Sequence, residues 1–171
     1  NSDKVRFRSG HTEKIGGWEK YSSNTFLGSA RSLYNYAAAS GTHYVGVGTN
    51  LKFYIADGVT YNDITPIRAT TSAGDVTFSA SDGDATLTVT DTSNGSAQND
   101  FVTFSGAASL GGLITADVLN QEYQIATVPT SNTYTIEAKD TDGDEVTANS
   151  SDSGNGGSST VGVYQINVCL D

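Results

Sequence analysis

Methionine is missing altogether from this chain, cysteine and tryptophan occur once each, and histidine and proline twice each. The lone thiol, Cys169, excludes an internal disulfide framework and, with no histidine near it in sequence, reads as structural. His11 and His43 are too few and too poorly placed for a nucleophilic triad, and no G-x-S-x-G elbow accompanies them. Without methionine, residue 1 is not a translational start, so the expectation is a processed or truncated piece of a longer protein. No apolar run approaches the roughly 20 residues of a membrane span. No basic start followed by an apolar core suggests a signal peptide either. The chain reads as soluble, without membrane insertion.

Charge is also scarce, at 16% of residues, whereas glycine is frequent at 19 positions. Such a balance suits short strands and many turns rather than amphipathic helices. The few charges are divided unevenly. Residues 1–68 hold eight Lys and Arg against five acids, a net +3, and residues 69–171 hold Lys139 against fourteen acids, a net −13. An acidic excess disfavours general nucleic-acid binding, which needs cations to neutralise phosphates. It is compatible with a conduit whose wall repels a passing polyanion, or simply with a soluble Gly/Ser-rich surface.

Period-two patterns dominate. Val5 and Phe7 alternate with Arg6 and Arg8 in an extended arm over residues 1–20, where Gly16-Gly17 permits a turn before Trp18. Strands follow at Ala30 to Ala38, Thr42 to Gly48, Leu51 to Ala56 and Tyr61 to Ile64. The third presents Leu51, Phe53 and Ile55 on one face and Lys52 and Tyr54 on the other. Asp57-Gly58 marks a tight hairpin, and Thr65-Pro66 stops the last strand. Four short antiparallel strands in chain order make a meander like one propeller blade, which cannot bury both faces alone. A small polar stretch from Arg68 to Gly74 reads as a boundary. Beyond it, Val76 to Ala80, Ala85 to Thr90, Phe101 to Ser105, Tyr123 to Thr127, Thr133 to Ala138 and Val161 to Val168 read as strands of a small barrel or sandwich. The last is broken in register at Tyr164-Gln165. A short helical turn is expected within Ile114 to Gln121, a turn at Pro129 to Asn132, and a flexible loop over Thr147 to Thr160.

Chemistry is hard to find in this pattern. The acids Asp140, Asp142, Asp144 and Glu145 invite a calcium reading, but an EF-hand needs glycine sixth and glutamate twelfth. Here Gly143 stands fourth and Ser151 twelfth. A different cation site there is left open. Gly46-Val47-Gly48 leads into another strand, not a helix, so a dinucleotide reading is poor. Aromatic and basic residues interleave (Arg31, Tyr34, Tyr36, Tyr44, Lys52, Tyr54), as they do in surfaces that stack on sugars or bases and also in filled blade faces.

The succession FRSG, EKIGGWEK, YVGVGTNLKFYI and DITPIR resembles the N-terminal region of tail tube or nozzle proteins of short-tailed bacteriophages. FVTFSGAASLGGLITADVLNQEYQI and GNGGSSTVGVYQIN resemble an inserted domain of such proteins. That insert is similar to the small β-barrel called the first catalytic-cysteine half-domain of ubiquitin-activating enzymes, without the enzyme's chemistry. Two positions depart from the insert's pattern: Asn94 stands where a histidine is frequent and Cys169 where glycine is usual. The resemblance implies an all-β virion protein with a propeller-blade-like four-stranded meander at 21–68 and a small β-barrel insert at 69–171. It implies a homo-oligomeric ring in the phage tail that conducts DNA and binds other tail proteins, with no sequence-specific nucleic-acid binding, no enzymatic activity and no cofactor. Arg6, Phe7, Arg8 and Trp18 are the candidate interface residues. No catalytic, cofactor-binding or metal residue is assigned. The alternative is a receptor- or glycan-binding β-domain, with loops 91–100 and 147–160 as its contact surface.

Overall fold

Ser9 and Gly10 carry φ of 50° and 78°, the positive values that a two-residue hairpin turn requires. They join β1 (Val5–Arg8) to β2 (His11–Lys14), antiparallel, with Val5 opposite Lys14 and Arg8 opposite His11. The arm foreseen as extended is therefore folded back on itself, because Ser-Gly is itself a turn signal. The computed structural model describes residues 5–14, 16, 20, 22–166 and 168; Trp18 and Cys169 lie outside the described residues.

The meander follows as β3 (Ala30–Ala37), β4 (His43–Thr49), β5 (Phe53–Asp57) and β6 (Thr60–Asp63), hydrogen-bonded in that order. Its turns are built locally. Thr49 accepts amide hydrogen bonds from Leu51 and Lys52 on its hydroxyl and donates that hydroxyl to the Lys52 carbonyl. Gly58, at φ 62°, closes the β5–β6 hairpin where Asp57-Gly58 foretold it.

The rest of the described chain forms two sheets around one core. In order they comprise β7 (Ile67–Thr70), β8 (Thr77–Ala80), β9 (Thr86–Thr90), β10 (Phe101–Ser105), the single turn α1 (Ala116–Leu119), β11 (Glu122–Gln124), β12 (Thr127–Thr130), β13 (Thr133–Glu137), β14 (Asp152–Asn155) and β15 (Val161–Gln165). One sheet is ordered β11-β10-β15-β7 and the other β12-β13-β9-β8-β14. Alternation selects the core: Val76, Phe78, Leu87, Val89, Val102 and Phe104 are all buried while their neighbours along each strand are less so. Phe78 meets Phe104 edge to face across the two sheets, with ring centroids 4.9 Å apart. Each such side chain, fully buried, contributes about 1.5–3 kcal/mol. Thr115 caps α1 by accepting from the Val118 amide, which places Val118 and Leu119 in the core. The protein is all-β, with α1 the only helix among the described residues.

Several local expectations are corrected. The stretch from Arg68 to Gly74, read as a polar boundary, begins within β7 (Ile67–Thr70), which pairs with β15, so the division foreseen between residues 68 and 69 falls inside a strand. The run from Tyr123 to Thr127 is split between β11 and β12, and Pro129 sits within β12, an edge strand whose irregular register accommodates a residue without a donor. The tract from Thr147 to Thr160 contains β14, paired to β8. It is anchored by Thr160, whose buried hydroxyl donates to the Gly156 carbonyl. Low side-chain content hid that strand, since its stability comes from backbone pairing. The irregularity foreseen at Tyr164-Gln165 is present in the β15–β7 register.

Candidate interaction surface

Register decides what the meander shows to solvent. Paired residues share a face, so Leu33, Val47 and Tyr54 line one side together with Val45, Ala56 and Tyr61. Phe26, from the segment preceding β3, lies over that side, with its ring 5.0 Å from Tyr61 edge to face and 5.8 Å from Tyr54. The cover is incomplete. Between Phe26 and Leu33 an apolar groove of about 270 Å³ stays open, floored by Val45, Val47 and Ala56, and Leu33 is 69% exposed.

The opposite side carries Tyr34, Tyr36 and Tyr44. Tyr36 stacks on Tyr44 at 5.6 Å and on Tyr34 at 6.4 Å, and Tyr34 is 72% exposed. Across from Tyr34 stands Gly46, so no side chain of β4 faces that ring. Strand β3 lies at the sheet edge with all eight of its residues exposed. Among the described residues the meander thus keeps apolar surface on both faces and an unpaired edge strand, a combination that a lone sheet in water does not favour.

The meander is fastened to the two-sheet unit by a charged contact. Lys52, on the β4–β5 turn, is 1% exposed. Its Nζ donates to Asp63 Oδ2 at 2.7 Å and to the Glu122 carboxylate on β11, and it lies 4.6 Å over the Phe101 ring. Burial opposes the Lys52 charge, but the hydrogen bonds and charges of both carboxylates outweigh it and hold the pKa above the usual lysine value. Asp63 is likewise opposed by burial, yet donors from Lys52, Thr65 and Gln165 hold it below the usual carboxylate value. Gln165 Nε2 reaches the same Asp63 oxygen at 3.0 Å, and the Ile166 amide donates to the Pro66 carbonyl. The sequence placed Lys52 and Tyr54 on one face of their strand. It is that face, not the Leu51/Phe53 face, which is buried.

Of the residues foreseen at an interface, Arg6, Phe7 and Arg8 all lie on β1. Arg6 is held by Glu13 across the hairpin at 2.9 Å. Phe7 is 72% exposed and Arg8 is exposed. The residues that sequence reasoning missed, Leu33 and its groove, are marked only by a leucine among tyrosines in an otherwise polar strand.

The histidines are exposed on separate sheets, His11 on β2 and His43 on β4. Asp140 Oδ1 accepts from the amides of Asp142 and Asp144, both at 2.9 Å, so the turn itself uses that carboxylate. Among the described residues no group of His, Cys, Asp and Glu is arranged to hold a metal ion. Nor is any helix among them long and apolar enough to cross a membrane. Asn94, the departure from the insert pattern, is buried and organises loop 91–100. It donates to the carbonyls of Asp91 and Ser131 and accepts from the Ser96 amide, while its own carbonyl accepts from Arg68.

No protein-family model and no curated protein matches the chain. Among solved structures it is similar to phage phi92 endosialidase. The identity is 15% and the TM-score 0.42, over 82% of this chain and 20% of that one. The chain therefore spans about a fifth of the structure it matches. The expectation of a protein without enzymatic activity is corrected here, because the matched structure is that of an enzyme. That activity belongs to the matched protein, and the comparison assigns no catalytic residue to this chain.

Proposed function

We propose that this chain is a structural component of a bacteriophage tail, a subunit of a tube or nozzle ring that conducts DNA out of the virion and joins neighbouring tail parts. The observation that carries this reading is the meander β3–β6. It is one blade in strand number and order, with apolar surface left open on both faces and at the β3 edge. A blade is stable when its faces are covered by equivalent blades, and closed rotational symmetry supplies that cover through heterologous contacts. The resemblance of the segments around Val5 to Arg68 to tail tube proteins points the same way. The net −13 of residues 69–171 suits a surface past which a polyanion slides without adhering.

Native mass spectrometry of the purified chain tests the reading: a closed ring of identical subunits supports it, and a monomer at micromolar concentration overturns it. A second reading, a glycan-binding domain, is favoured by one observation, the exposed ladder of Tyr34, Tyr36 and Tyr44. Its contact surface would be that ladder rather than loops 91–100 and 147–160. Sugar-competed binding on a glycan array, lost in Tyr34→Ala, would establish it over the structural reading.

A further inference from the structure

We draw no further inference here: the strongest candidate, the apolar groove beside Leu33 on the open face of the meander, carries none because nothing in the structure shows what covers it.

Discussion

Glu122→Gln breaks the charged fastening between the meander and the two-sheet unit, and its cost can be worked from the geometry. Lys52 is 2% exposed at its side chain and holds two carboxylates, Asp63 at 28% and Glu122 at 32% exposure. Removing one charge leaves a buried ammonium with one full partner and an amide. A hydrogen bond between charged groups contributes about 1.5–3 kcal/mol, and partial exposure of the carboxylate reduces it, so a loss of about 1–2 kcal/mol is expected. Lys52→Met removes the buried charge itself, a change that is often less costly than orphaning it. The informative quantity is the coupling in the double-mutant cycle of Lys52→Met with Glu122→Gln, expected at about 1–2 kcal/mol at neutral pH. Urea unfolding followed by fluorescence and circular dichroism supplies it, with agreement of the two probes checking two-state behaviour. The pH dependence has a fixed sign. Asp63 has a depressed folded pKa, so its contribution is present above the unfolded value near 3.9 and disappears as pH falls through the folded one. Lys52 has a raised folded pKa, so its contribution is full below about 10.4 and disappears as pH rises through the folded value. A coupling under about 0.5 kcal/mol would refute the fastening.

The core offers three further tests. Tyr164→Phe removes the hydroxyl that donates to Asp91 at 2.7 Å and meets the Tyr134 hydroxyl at 2.8 Å, leaving a buried carboxylate oxygen short of a donor. A loss of about 1–3 kcal/mol in denaturant unfolding is expected. Burial raises the pKa of both tyrosines, so the native state holds protons that the unfolded state releases. Stability is expected to fall once pH exceeds about 10, with the last tyrosine absorbance change coinciding with unfolding. Gly156→Ala places a Cβ at φ 135° and 2.7 Å from the Phe78 ring; about 2–4 kcal/mol should be lost, and a stability unchanged within error would show that the ring moves freely.

Sequence alone determined the strands whose reason is local. Val76/Phe78, Leu87/Val89 and Val102/Phe104 alternate because one side of each strand meets oil and the other water, and all six are buried. Asp57-Gly58 fixed a hairpin by backbone preference, and the Tyr164-Gln165 break appeared as a register shift. Three decisions belonged to the tertiary structure. Which face of β5 is buried depends on what lies opposite, and Glu122, seventy residues away in sequence from Lys52, makes a lysine face the inner one. Whether Ile67–Thr70 and Asp152–Asn155 are strands depends on partners distant in sequence, β15 and β8, since their own side chains carry little hydrophobic signal. The groove beside Leu33 exists only once Phe26 folds over the meander and stops short of its edge, because a cavity is a property of surfaces brought together and not of any segment by itself.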